Sequence, residues 1–181
     1  MRYVVVRIIH GSVRRRHYRR EAKELGGKMG GHVGIQIDDL IYDFKYRDIS
    51  RIHIFSNPES KNCIFQKHTP DEWKACYKDN QETLVTIPVD ETEIEFLLDF
   101  YRKNILEPSY DYSFFGQRCA SSCYDLLKKI NKIQGGHYFF NAFYPGMLRK
   151  KLLAKARQAG YGVVVIPGSP TRIWEGGRVD I

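Results

Sequence analysis

The segment GHVGIQI-DD-LIYDFKY, residues 31–46, constrains the fold more than any other part of this sequence. Two Ile-, Val- and Tyr-containing stretches flank Asp38-Asp39, a pair of the kind that occupies two-residue turns. The pattern predicts a β-hairpin in which Ile37 pairs with Leu40. A slip of one residue would move the apolar side chains to the wrong face, so the register is well specified.

The predicted register divides the hairpin into an apolar face and a face that carries polar residues. The apolar face consists of three facing pairs: Ile37–Leu40, Ile35–Tyr42 and Val33–Phe44. The other face consists of His32, Gly34, Gln36, Ile41, Asp43 and Lys45. On it, Asp43 lies diagonal to His32, and such neighbours are ~7–8 Å apart at Cα, within side-chain reach. A carboxylate bonded to one ring nitrogen fixes the tautomer of a general base, although a purely structural pair has the same pattern.

Cys119 begins a predicted helix over residues 119–133. The prediction rests on apolar residues at helical spacing, namely Cys119, Cys123, Leu126, Leu127, Ile130 and Ile133. Free N–H groups and the positive dipole end at a helix N-terminus favour a reactive thiolate and can also bind an oxyanion. A buried core thiol is the alternative at this position. Cys123, Cys63 and Cys76 are expected to be buried thiols without such a role.

The remaining pattern predicts further elements, with irregular stretches over 47–68 and 104–118. Strands are predicted at 3–9, 83–89 and 161–167, and helices at 12–25, from Pro70 after the Thr69 cap, from Asp90 to about 103, and from Pro145 to Gly160. This order predicts an α+β fold with an antiparallel sheet packed against helices. We expect one domain over 1–181, with a core at about 31–130, to which 12–25 and 145–167 are additions.

The net charge of +8 favours an acidic partner, such as an acidic polymer or an anionic surface. Much of the excess lies in one run, Arg14, Arg15, Arg16, Arg19 and Arg20. A second basic set lies at 147–157. No Cys/His spacing matches a zinc site, so no metal or other cofactor is expected. No apolar run spans a bilayer and no signal-peptide pattern is present, so we expect a cytoplasmic protein or a mature exported form.

Two segments together resemble the circularly permuted papain-like cysteine hydrolases, the NlpC-like and lecithin:retinol acyltransferase-like superfamily, in its bacterial amidase-like branch. The stretch GHVGIQIDDLIYDF (31–44) resembles the histidine strand and the strand after it. The stretch from 85 to 127 resembles the second half, in which a tyrosine-rich segment leads to a cysteine that opens a helix. The family often has Asn before this cysteine, whereas here the residue is Arg118.

The resemblance implies a permuted papain-like fold in which the histidine strand precedes the cysteine helix. It also implies that Cys119 is the nucleophile, His32 the base and Asp43 its orienter, acting through a thioester on an amide or ester such as a peptide, a cell-wall stem peptide or a lipid. Gln117 or Tyr112 would supply a side-chain donor to the oxyanion. Two alternatives stay open: a basic protein that binds nucleic acid or an anionic membrane surface without catalysis, for which no specific nucleic-acid signature is present, and a member that keeps the fold without activity.

Overall fold

The computed structural model describes residues 1–11 and 31–168 of the chain. Its strands are β1 (Arg2–His10), β2 (Gly31–Ile37), β3 (Leu40–Tyr46), β4 (Cys63–His68), β5 (Glu82–Val89) and β6 (Gly162–Ile166). Its helices are α1 (Pro70–Tyr77), α2 (Glu91–Leu106), α3 (Cys119–Lys129), the short α4 (Tyr138–Asn141) and α5 (Pro145–Ala159), with one 3-10 turn at Ile49–Arg51. The predicted helix 12–25 lies outside the described residues.

The six strands form one antiparallel sheet in the order β4-β3-β2-β1-β5-β6. The predicted hairpin is confirmed, with Ile37 opposite Leu40 and Gly34 opposite Asp43. Asp38 occupies the left-handed region at φ 52°, which Asp tolerates better than most residues. The predicted pairing of Val33 with Phe44 was wrong, because the ladder between β2 and β3 ends one pair earlier.

Strand β4 was missed by the sequence analysis, which treated 47–68 as irregular. It pairs with β3 along its whole length, and Phe65 lies opposite Phe44 with ring centroids 4.6 Å apart. Only Cys63 and Phe65 of this strand are buried. The alternation is too short to be recognised against the polar residues Gln66, Lys67 and His68.

The main core lies between the apolar face of the sheet and helices α2, α3 and α5. The N-terminus of α2 is fixed by a reciprocal capping box, as predicted, in which Asp90 accepts from Glu93 N–H at 2.9 Å. Helix α3 ends at Lys129, four residues before its predicted end, because Asn131 takes a left-handed conformation at φ 57°. Ile130 and Ile133 are nevertheless buried in the core.

The face of the hairpin that carries His32 and Asp43 is also covered. The cover is α1, whose Trp73 packs with Ile9 and Ile41 in a second, small apolar cluster. The Thr69 cap and Pro70 fix the start of this helix as predicted. The indole N–H of Trp73 donates to Glu82 Oε1 at 2.9 Å, and Arg7 holds the same carboxylate at 2.7 Å. The part of this face that carries His32 and Asp43 is therefore covered by α1.

Candidate active site

His32 and Asp43 meet across adjacent strands, as the register predicts. The ring Nε2 of His32 lies 2.6 Å from Asp43 Oδ2, and the two residues are 9% and 2% exposed. Burial opposes ionisation of Asp43, but hydrogen bonds from His32 and His68 outweigh it and lower the pKa of this carboxyl to about 2. Asp43 is therefore an ionised carboxylate inside the protein.

Cys119 is the first residue of α3 and is buried, and its sulfur is hydrogen-bonded to the imidazole of His32. Because Nε2 is bonded to Asp43, we infer that Nδ1 is the ring nitrogen that serves the sulfur. Burial opposes charge on both groups. Their mutual attraction and hydrogen bond nevertheless lower the pKa of the Cys119 thiol and raise the pKa of His32. Both shifts favour the thiolate–imidazolium form of the pair over the neutral form.

The early end of the β2–β3 ladder supplies a further donor to this sulfur. Along an antiparallel strand, N–H groups point alternately toward and away from each partner. Since Ile37 bonds Leu40 across the turn, the N–H of Val33 points toward β3, where the missing pair with Phe44 would have used it. It donates to the Cys119 sulfur instead, which lowers the pKa of the thiol further. The helix N-terminus thus replaces one rung of the ladder.

Arg118 precedes the cysteine and brings a second positive charge to it. Its guanidinium lies over the Phe143 ring at 4.0 Å and the Phe114 ring at 5.3 Å, and it donates to the Phe143 carbonyl. Its charge lowers the pKa of Cys119. An arginine has no side-chain acceptor, so it cannot cap the first-turn N–H groups of α3, such as that of Ala120. These groups point to the same end of the helix as the sulfur.

A second histidine, which the sequence analysis missed, lies behind Asp43. His68 Nε2 is 3.4 Å from Asp43 Oδ1, and Gln66 Nε2 lies 3.3 Å from Asp43 Oδ2 and 2.7 Å from the His68 ring. Both residues belong to β4, where Gln66 is the direct partner of Asp43. The sequence feature that could have identified them is the two-residue spacing of Gln66 and His68. This spacing predicts a shared face only if β4 is known to be a strand.

The imidazole of His32 is also enclosed from the side of α1. The Tyr77 ring stacks on it at 5.7 Å with an interplanar angle of 26°, and Trp73 lies at the same centroid distance. Burial, followed by the charges of Asp43 and Cys119, raises the pKa of Tyr77. Its hydroxyl therefore stays protonated beside the two anions.

The two candidate oxyanion donors lie in different surroundings. Gln117 Nε2 donates to Asp125 at 2.8 Å, so this amide N–H is engaged away from the sulfur. Tyr112 lies within electrostatic reach of Cys119, and burial followed by that charge raises the pKa of its hydroxyl. A neutral phenol close to the sulfur is the better placed of the two donors. Either role stays a prediction.

The other three cysteines differ from one another. Burial, and then the charge of Cys119, raises the pKa of Cys123, which lies one turn further along α3. Cys63 is buried and its Sγ donates to the Tyr110 carbonyl. The expectation that Cys76 is buried was wrong, since it is exposed on the outer face of α1, whose buried residue is Trp73.

Part of the second basic set is buried and not available as a charged surface. The arginine run at 14–20 lies outside the described residues, and Arg149 of the second basic set is buried, where it donates to His10 Nδ1 at 2.6 Å. Over residues 1–11 and 31–168 no group of three or more His, Cys, Asp or Glu side chains is arranged to hold a metal ion. Over the same residues no helix combines the length and apolar character needed to cross a bilayer.

Comparison with known proteins establishes the fold and leaves the activity open. No protein-family model matches the sequence, and no curated protein matches it. Among solved structures the chain is similar to the crystal structure of a type VI secretion system effector, TseH, with a TM-score of 0.52 at 9% identity. The match covers 91% of this chain and 98% of that chain. The predicted α+β fold, an antiparallel sheet packed against helices, is thereby confirmed as one that a secretion effector also adopts.

Proposed function

We propose that the chain is a cysteine hydrolase of the circularly permuted papain-like kind, acting on an amide or ester. Cys119 is the nucleophile, His32 the general base and acid, and Asp43 the residue that orients the imidazole. One observation carries the proposal: a single buried imidazole bonds a carboxylate through Nε2 and also interacts with the thiol at a helix N-terminus. This is the arrangement of nucleophile, base and orienting group that covalent acyl transfer requires.

In the first half-reaction the Cys119 thiolate attacks the carbonyl carbon, and the C=O π electrons move onto oxygen. The proposed donors to this developing negative charge are the first-turn N–H groups of α3 and the Tyr112 hydroxyl. When the carbonyl re-forms, the bond to the leaving nitrogen or oxygen breaks, and His32 gives its Nδ1 proton to the leaving group. The product is a thioester on Cys119.

In the second half-reaction the now neutral His32 takes a proton from water through Nδ1. The resulting hydroxide attacks the thioester carbon, and collapse of the intermediate releases the acid and returns the thiolate. Throughout, Asp43 holds Nε2–H and keeps Nδ1 as the nitrogen that exchanges the proton. An acceptor alcohol or amine in place of water would make the same machinery an acyl transferase, and candidate substrates include a peptide or a cell-wall stem peptide.

The test is formation of the thioester on one defined sulfur. The protein is mixed with p-nitrophenyl esters and with peptide p-nitroanilides, release of the chromophore is followed, and the acid-quenched protein is weighed by mass spectrometry. We expect an acyl adduct on the Cys119 peptide and loss of turnover by at least ~10³-fold in Cys119→Ala. The matched control is Cys123→Ala, one turn along the same helix, which should keep its turnover. Undiminished turnover in Cys119→Ala, or no turnover and no adduct with any substrate, contradicts the proposal.

A further inference from the structure

An exposed apolar surface adjoins the candidate site. It is formed by loops around 54–55 and 114–115 and by the short helix α4, and we call it the aromatic patch, with members Ile54, Phe55, Phe114, Phe115 and Phe140. Phe55 and Phe140 are 71% and 77% exposed. Ring contacts link Phe55 and Phe114 to Phe115 at 5.6 Å and 4.9 Å, and Phe140 is linked to Phe115 through Phe139, at 5.3 Å and 6.1 Å. Contiguous exposed apolar patches often mark binding surfaces, whereas single exposed apolar residues are common on any protein.

The loops that present the patch are held in place from below. Phe114 N–H donates to the His53 carbonyl at 2.8 Å, and Phe115 N–H donates to the Ile54 carbonyl at 2.9 Å. Buried Asp111 accepts from the backbone N–H of Asn57 at 2.9 Å and bonds the His53 ring at 3.0 Å. Backbone and side-chain hydrogen bonds therefore fix the loops that carry the aromatic rings, so docking there would not incur the entropic cost of ordering those loops.

Cationic side chains border the patch. Arg118 lies over Phe114, a patch member, and over Phe143 beside it. Lys128 and Lys151 anchor the α4 segment that carries Phe140, through the Gly136 carbonyl at 3.5 Å and the Asn141 side chain at 2.8 Å. The whole chain adds a net charge of +8. The surface therefore combines exposed apolar side chains with the lysines that hold the Phe140 segment, whereas the Arg118 charge acts on Cys119.

We propose that the aromatic patch docks on an anionic phospholipid bilayer, with Phe55 and Phe140 inserted below the headgroups. Apolar rings embed in the interfacial region while cations bind anionic headgroups, and the two contributions reinforce each other. The side chains project from two loops and from α4, and carry no hydroxyl or indole N–H that would need a specific partner. These features favour a bilayer over a flat protein interface. Since Arg118 contacts both the patch and Cys119, docking places the candidate site at the membrane surface.

The test is flotation of the full chain with vesicles, in the Cys119→Ala background so that no lipid is consumed. Vesicles of phosphatidylglycerol and phosphatidylcholine in equal amounts are compared with phosphatidylcholine alone. We expect binding to the mixed vesicles, and a partition coefficient at least ~10-fold lower for Phe55→Ser/Phe140→Ser. The matched control is Leu106→Ser/Val164→Ser, at positions that are 87% and 55% exposed and lie outside the patch; it should bind like the parent.

Three outcomes overturn the proposal. The first is that the parent does not float with anionic vesicles. The second is that the patch variant floats as well as the parent, which would mean that net charge alone drives binding. The third is that the patch mediates self-association. Sedimentation velocity without lipid detects the last outcome as a dimer that Phe55→Ser/Phe140→Ser abolishes. Thermal unfolding of each variant shows whether it is folded. Because the readout is binding of an inactive variant, its failure is separate from failure of the hydrolase proposal.

Discussion

Replacing Asp43 by Asn tests whether the buried carboxylate sustains the charge on His32. The carboxylate lies 2.6 Å from His32 Nε2 and is 2% exposed, so water cannot take its place without opening the site. The Asn amide has nearly the same shape and no charge. It either accepts from Nε2 more weakly, or turns its NH₂ toward the ring and imposes the tautomer in which Nδ1 carries the hydrogen. In both cases the imidazolium is stabilised less.

The size of the effect follows from the bond that is weakened. A hydrogen bond to a charged group contributes about 1.5–3 kcal/mol, and 1.36 kcal/mol is a factor of ten. The balance between the ion pair and the neutral thiol–imidazole pair should therefore move toward the neutral pair by roughly 10- to 100-fold. Turnover should fall further, by up to ~10⁴-fold if the wrong tautomer forms, as in other triads with the same replacement.

The assay is alkylation by iodoacetamide, a neutral reagent that reports thiolate. The Cys119 peptide is quantified by mass spectrometry between pH 5.5 and about 9, and exposed Cys76 serves as the internal reference in the same protein. In the parent, Cys119 should already react at pH 6, well below the usual thiol pKa of about 8.5. In Asp43→Asn the rate of Cys119 alkylation at pH 6 should fall by roughly 10- to 100-fold.

Asp111→Asn is the matched control for this experiment. It removes another buried carboxylate bonded to a histidine, His53, at 3.0 Å, in a loop without a thiol. It should leave the alkylation of Cys119 at pH 6 unchanged. If Asp43→Asn also leaves it unchanged, the carboxylate does not support the imidazolium. The low thiol pKa would then have to come from the helix terminus and Arg118.

Two further predictions concern stability. Gly34→Ala places a Cβ 2.9 Å from the Trp73 ring. We therefore expect the free energy of unfolding, measured in urea, to fall by about 1–3 kcal/mol, and Cys119 to be alkylated more slowly at pH 6. Gly136→Ala is the control, because its Cβ would meet open space and no clash is expected. Burial and the charge of Arg149 lower the pKa of His10 to about 3, so His10 is neutral when folded but protonates below about pH 6.5 when unfolded. Its contribution to stability is present above pH 6.5 and is lost as the pH falls, so lowering the pH from 7 to 5 should cost the parent about 2 kcal/mol more than His10→Gln; equal pH dependence in the two proteins would contradict the assignment.

The parts of the fold that the sequence predicts are those specified by nearest neighbours. The hairpin register follows from a two-residue period around a turn, and the starts of α1 and α2 follow from Thr69 and Asp90, whose capping bonds span three residues. The meeting of Asp43 with His32 is equally local, because one register fixes it. Their contact with Cys119 is not local. It was predicted from the resemblance, and its geometry depends on a helix that arrives about 85 residues later.

What the sequence left out depends on long-range packing. His68 and Gln66 reach Asp43 only because β4 pairs with β3, and nothing within 47–68 specifies that pairing. The cover over His32 depends on Trp73 crossing to Glu82, a contact made after α1 reverses the chain. The shorter α3 has a similar cause, because apolar spacing continues through Ile133 although the helix has ended.

The order of charges explains how so polar a site can be buried. Asp43, His32, Cys119 and Arg118 form a row in which negative and positive groups alternate, so each buried charge has an opposite neighbour and the row is neutral as a whole. A lone thiolate in that position would cost several kcal/mol and would take up a proton instead. In this chain the arginine closes the row at the end nearest solvent, on the aromatic rings of Phe114 and Phe143. The positive charges of His32 and Arg118 therefore both favour the reactive thiolate and offset the cost of burying it.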